Sequence, residues 1–195
     1  MRLRKPLSTF RFGSSVSGVG DLNDDGYGDL ASGEPLHDQV GQNSGLVRVF
    51  LGHAPLPTTY CTAKDNSLGC EPAIGSSGAP SLSIADNFHV LASDVRNKNP
   101  GMLIWSDESD WKPFFGGSLC LGTPIVRTNV QNSGGSPSGT DCSGSYDFHF
   151  SHDYMDHAGL VPGMTVYCQY WMRDSGFPPP NTVALTRGLS FVVVP

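Results

Sequence analysis

The chain has 195 residues, enough for one domain or two small ones, and carries 24 glycines and 15 prolines but only 15% charged residues. Such a profile favours short strands joined by turns over helices. A formal net charge of -6 argues against nucleic acid as a partner, because neutralising phosphates takes a basic surface, and no apolar run is long enough to span a membrane.

The first residues, Met1-Arg-Leu-Arg-Lys-Pro, are basic but lack the apolar stretch and small-residue cleavage site of a signal peptide. A short β-like run at 15–17 then leads into Asp21-Leu22-Asn23-Asp24-Asp25-Gly26-Tyr27-Gly28-Asp29. Oxygen-bearing side chains stand at positions 1, 3, 5 and 9 of this loop, around a glycine at position 6. A hard cation of calcium's size takes about six to eight oxygens, which alternate residues of a curling loop can supply while a glycine makes the sharp turn. The expected donors are the side chains of Asp21, Asn23, Asp25 and Asp29 and the backbone carbonyl of Tyr27, with Asp24 turned to solvent. An EF-hand opens with the same spacing, but its twelfth position is a bidentate Glu and its flanks are helices. Here the twelfth position is Ser32, and the loop lies between Gly18-Val19-Gly20 and Gly33-Glu34-Pro35, which break helices. The ion's expected role is structural: the carboxylates of Asp21, Asp25 and Asp29 repel one another without it, and its binding adds to folding free energy.

A strand is expected at 46–52, and the proline-rich residues 53–60 read as a linker between a first region, 1–52, and a second, 61–195. Strand signals in the second region fall at 81–84, 88–92, 101–105, 116–121, 125–128, 145–150, 165–171 and 189–194, and residues 151–159 suit a turn or two of helix. At 165–171 one face carries Val166, Cys168 and Tyr170. About eight strands with glycine-rich turns suggest a sandwich.

The segment from about Phe10 to Gly52 resembles an FG-GAP repeat, the blade unit of integrin-α-like propellers. The resemblance rests on Phe12-Gly13, on the calcium loop, on Gly33-Glu34-Pro35 at the family's Gly-Ala-Pro position, and on the closing strand from Gly45 to Leu51. Glu34 in place of alanine is the one departure. The resemblance implies calcium ligands at Asp21, Asn23, Asp25, Tyr27 and Asp29. Propellers close with at least about four blades, each burying its apolar faces on its neighbours. Asp107-Glu-Ser-Asp-Trp-Lys lacks the glycine and the spacing of a second loop, so the partner blades are expected outside this chain. Together with the N-terminal residues, this suggests the C-terminal piece of a longer secreted protein. Residues 61–195 resemble the C-terminal β-domain that follows FG-GAP arrays in large secreted bacterial proteins, on motifs such as Tyr60-Cys61, Ile74-Gly-Ser-Ser-Gly-Ala-Pro80 and Val166-Tyr-Cys-Gln-Tyr-Trp. The expected fold class is therefore mainly β, one incomplete propeller blade followed by a β-sandwich-like domain.

Five cysteines and a calcium loop point to an extracellular or cell-surface location, where thiols oxidise and calcium is plentiful. Bridges Cys61–Cys70 and Cys120–Cys142 are candidates that would close short loops and stabilise by about 2–4 kcal/mol each, although spacing leaves the connectivity open. Cys168, left over on an apolar face, reads as a buried thiol.

No nucleophile elbow, zinc-protease motif or phosphate-cradling loop occurs, so no enzyme is expected. Asp147, His149, His152, Asp153, Asp156 and His157 could supply zinc ligands, but His152 and His157 are five apart and do not share a helical face, which favours a polar surface segment. Arg173 and Asp174 are expected to form an ion pair that pins the turn at Phe177-Pro-Pro-Pro180. The leading expectation is a non-enzymatic calcium-binding module for adhesion or surface display, with surface proteins or glycans as partners. The rival is a carbohydrate-binding or sorting domain attached to a secreted hydrolase, with Trp105, Trp111 and Trp171 as a platform for sugar rings.

Overall fold

In the computed structural model of the chain, residues 11–23, 27–38, 40–53 and 55–195 are described. They form two compact units, Met1–Ala54 and Pro55–Pro195. The architecture is mainly β, and all the strand pairings are antiparallel.

The first unit is a three-stranded meander of β1 (Ser15–Gly20), β2 (Asp29–Glu34) and β3 (Leu46–Phe50), with β2 in the centre. Strand β2 has no expected counterpart: Ser32, Gly33 and Glu34 are poor strand formers, and pairing along both edges decides the matter. Opposed residues share a face, so Gly18, Leu30 and Phe50 project to one side, and Ser17, Ala31 and Val49 to the other. Both sides carry exposed apolar groups, with Val16 62% and Leu30 49% exposed on one and Val47 67% and Val49 50% on the other. A meander that is apolar on both faces requires a neighbour on each.

The second unit starts earlier than the expected linker allows. Strand β4 (Thr58–Tyr60) lies within residues 53–60 and pairs with the last strand, so only the residues before Thr58 connect. Next come β5 (Ala73–Ser77), β6 (His89–Val95), β7 (Pro100–Ser106), β8 (Ser109–Phe114), β9 (Gly117–Leu121), β10 (Val126–Arg127), β11 (Gln131–Asn132) and β12 (Gly144–His149). The helix α1 (His152–His157), β13 (Thr165–Arg173), β14 (Val183–Leu185) and β15 (Gly188–Val192) complete it. The main sheet runs β10-β7-β13-β15-β4, with β11 also on β7 and β14 also on β13. A smaller sheet, β12-β6-β5, and the β8-β9 hairpin make up the rest.

Strand β13 is central because both its faces are covered. Val166, Cys168, Tyr170 and Met172 enter the principal core with Val90 and Ala92 of β6, Tyr146 of β12 and Phe191 of β15. Its opposite face presents Tyr167 and Trp171 to a second cluster with Leu119 of β9, while fully buried Gln169 donates to the carbonyls of Ser118 and Thr186 and accepts from the Cys120 amide. The helix is capped by Ser151, whose hydroxyl accepts from the Tyr154 amide, and it drives Met155 into the core. The expected strand at 81–84 is a turn instead. The Ser81 hydroxyl takes the amides of Ser83 and Ile84 out of reach of any ladder, leaving one bridge to Val194.

The four bridging cysteines pair across the fold, Cys61–Cys120 and Cys70–Cys142, and not locally. The short loops already have other closures. Asn66, 2% exposed, accepts from the amides of Leu68 and Cys70, so the 61–70 loop needs no staple of its own. Asn97 does the same for the glycine-rich loop, donating to the carbonyls of Ser136 and Gly139 and accepting from the Asp141 amide. Cys168 is free and fully buried, and burial pushes its thiol well above the ordinary range. Alkylation before and after reduction checks this arrangement by intact mass. The unreduced chain should take no label when native and one when denatured, against five after reduction.

Candidate metal centre

The loop at 21–29 is the connection between β1 and β2, and register pairs Gly20 with Asp29 at its base. Asp29 closes it. One carboxylate oxygen accepts from the Leu22 amide at 2.7 Å and the other from the Gly52 amide at 2.8 Å, so one side chain ties the start of the loop to the residues just past β3. Asp29 is only 2% exposed, and among the described residues no cationic side chain accompanies it. Two amide donors stabilise this buried carboxylate, and a bound cation would stabilise it further. Each oxygen keeps a further lone pair, and the remaining donors on this loop are hard oxygens from Asp21, Asn23 and the Tyr27 carbonyl, the set that suits calcium. Asp25, with Asp24 and Gly26, lies outside the described residues. Among the described residues no group of three His, Cys, Asp or Glu side chains is placed to hold a metal ion.

The departure at Glu34 has a local explanation that the sequence did not signal. Glu34 is 3% exposed at the end of β2, where Arg48 Nε donates to Oε1 at 2.9 Å and His37 Nδ1 lies 2.8 Å from Oε2. The bond from Arg48 is the main reason its carboxyl is held below the usual range, against the upward push of burial.

Three of the four histidines of the second unit pair with carboxylates, and His152 contributes only its backbone amide, which donates to Asp86. His89 Nδ1 lies 2.6 Å from Asp147, His149 Nε2 lies 3.0 Å from Asp86, and His157 pairs with Asp153 on its own helix. The rings of His89 and His149 stack 4.4 Å apart. The three tryptophans share no surface: Trp105 is in the core, donating to the Tyr154 hydroxyl, Trp171 lines a cavity with Met102 and Ile104, and Trp111 is exposed.

Asp174 orders its turn, but with Arg96 and not Arg173. Its carboxylate accepts from Ser67 N and Oγ at 2.6 Å each, from Arg96 at 3.0 Å and from the Gly176 amide at 3.1 Å. Arg173 lies on the exposed final position of β13 and contributes its carbonyl to Asn99.

Residues 12–50 match the family model of the FG-GAP repeat, a propeller-blade unit that partners with other blades. Over 51 residues the chain is 53% identical to integrin alpha-PS5 of Drosophila melanogaster, covering 26% of this chain and 5% of that protein. Over 47 residues it is 43% identical to integrin alpha-2 of Bos taurus, covering 24% of this chain and 4% of that protein. The match thus spans a small part of these curated relatives. No solved structure matches the chain. Among the described residues no helix is long and apolar enough to cross a membrane.

Proposed function

We propose that the chain is a non-enzymatic, calcium-binding extracellular or cell-surface module used for adhesion or surface display. The observation that carries this reading is Asp29, buried and amide-bonded at the mouth of an oxygen-rich loop, with no cationic side chain beside it among the described residues. Calcium would supply that charge, held by Asp21, Asn23, Asp25, Asp29 and the Tyr27 carbonyl. Similarity of residues 12–50 to integrin α chains supports the extracellular setting, as do two disulfides in the second unit. Apolar groups on both faces of the meander support contact with neighbouring blades. Residues 61–195, in this reading, are the β-domain that accompanies such blades in secreted proteins.

Calorimetric titration of the whole chain should give one saturable calcium site, and at a free concentration 100 times Kd the blade should gain about 2.7 kcal/mol. Asp21→Ala and Asp25→Ala should each abolish the heat and the gain while the tryptophan signal of the second unit, which holds all three tryptophans, stays unchanged. A wild-type chain that takes up no calcium sinks the metal assignment. For adhesion, beads carrying the chain should be retained on cells in calcium and released by chelator, and absence of retention in both conditions would reject that role.

A further inference from the structure

The second unit contains a cavity of about 360 Å³ between the outer face of the main sheet and the β8-β9 hairpin. Its floor is apolar. Met102 opposes Trp171 in the β7-β13 ladder, so both project to one side of the sheet, and Ile104 of β7 joins them on the same face. Phe114 and Leu119 from the hairpin form the roof. At about 30 Å³ for each water displaced, the space suits a ligand of roughly a dozen non-hydrogen atoms.

Two features separate this cavity from a packing defect. The first is Arg127, the one charged side chain on its lining, which stands opposite Ile104 in the β10-β7 ladder and so points along the same face. Among the described residues no carboxylate pairs with it, although the chain's net charge is -6. A lone guanidinium at the edge of an apolar pocket matches a single anionic head on an apolar body. The second feature is Phe115. It holds φ +46° at the first central position of the hairpin turn, followed by Gly116 at +77°. That pair of conformations belongs to a type I′ turn, where Asn or Gly is the usual first residue and an aromatic is strained. The strain puts a ring, 43% exposed, on the cavity wall against Phe114. The turn is fastened from outside, with Lys64 Nζ donating to the carbonyls of Phe115, Asn181 and Val183.

We propose that this cavity binds a small amphipathic carboxylate, a medium-chain fatty acid, with its alkyl chain among Met102, Ile104 and Leu119 and its carboxylate on Arg127. The site lies within the second unit and does not depend on the calcium loop, so its test can be run in chelator.

The test titrates the whole chain calorimetrically with sodium octanoate below its micellar concentration, and with neutral octan-1-ol. Octanoate should bind with one-to-one stoichiometry and roughly tenfold or more tighter than the alcohol. Arg127→Gln should reduce octanoate to the level of the alcohol and leave the alcohol unchanged. Phe115→Asn supplies a residue the turn prefers and removes the ring. It should weaken octanoate roughly tenfold while the unfolding midpoint, followed by tryptophan fluorescence, stays level or rises. No saturable binding to the wild-type chain, equal binding of acid and alcohol, or undiminished binding by Arg127→Gln would overturn the proposal. So would a Phe115→Asn variant that binds normally but unfolds more easily, because the ring would then be core packing. Self-association abolished by Phe115→Asn, without octanoate binding, would make the cavity a contact between copies and equally overturn it.

Discussion

Replacing Asp174 with alanine should destabilise the second unit by about 3–5 kcal/mol, the cost of stripping the partner from a buried ion pair. The carboxylate is fully inaccessible and accepts four hydrogen bonds, two from Ser67 and one each from Arg96 and Gly176. Alanine leaves the mostly buried Arg96 guanidinium and the Ser67 amide without their acceptor, and each must recover water or stay unsatisfied. The loss also releases the turn, since the Asp174 backbone bonds Thr182 and Phe177 around the same bend. Urea unfolding followed by tryptophan emission reads this unit alone, because Trp105, Trp111 and Trp171 all lie in it. Arg96→Ala in the Asp174→Ala background should cost less than in the wild type, as expected for two members of one pair. A loss below about 1 kcal/mol would mean that water replaces the pair at little cost.

The pH dependence follows with a definite sign. Burial raises the Asp174 carboxyl, but the donations from Ser67, Gly176 and Arg96 outweigh it and hold the group below its ordinary value of 3.8. A carboxylate depressed on folding contributes stability above its unfolded value and loses it as pH falls through the lower folded value. The second unit should therefore resist acid down to about pH 4 and then weaken, and Asp174→Ala should flatten that part of the curve.

How far the residues declare this structure differs from element to element. Strand β13 is legible because the alternation of Val166, Cys168 and Tyr170 continues into a buried face. The helix at His152–His157 falls inside residues 151–159, where a turn or two is expected, and Ser151 caps it. Strand β8 is not legible: Pro113 and the polar Ser109, Asp110 and Lys112 give no periodic signal, and the strand survives because it pairs only with β9 in a two-stranded hairpin. Strand β5, Ala73–Ser77, is equally silent and exists through pairing with β6. The spacing of the 21–29 loop places Asp29 last in the expected donor set. Its tie to Gly52, 23 residues away, is a tertiary fact that no local pattern encodes. The same holds for Glu34, whose partner Arg48 follows 14 residues later on β3. Asn66 and Asn97 are the instructive cases. In sequence each is one polar residue among many beside a loop, and only burial shows that their amides close the loops for which cysteine bridges were expected.

That reassignment sets the size of the second large effect. A Cys61–Cys70 bridge would have closed a loop of about ten residues, for which the chain-entropy estimate is roughly 2.7 kcal/mol. The observed bridges join residues 59 and 72 apart, and the same estimate gives about 4 kcal/mol for each. Their spans also overlap, because Cys70 lies inside 61–120 while its partner Cys142 lies outside, so neither bridge makes the other redundant. Cys61–Cys120 ties the edge strand β4 to β9, where the Tyr60 hydroxyl donates to the Cys120 carbonyl and its ring packs on Tyr167. Cys70–Cys142 fastens the loop held by Asn66 to the chain entering β12, beside the Asp174 network. Replacing either pair by alanines should lower the tryptophan-monitored stability by about 2–5 kcal/mol. Removing both should exceed the total stability of many domains of this size and leave the unit unfolded at 37 °C. Peptide mapping without reductant should recover Cys61 with Cys120 and Cys70 with Cys142. Recovery of Cys61 with Cys70 would restore the local pairing, and the expected loss for that pair would fall to the smaller figure.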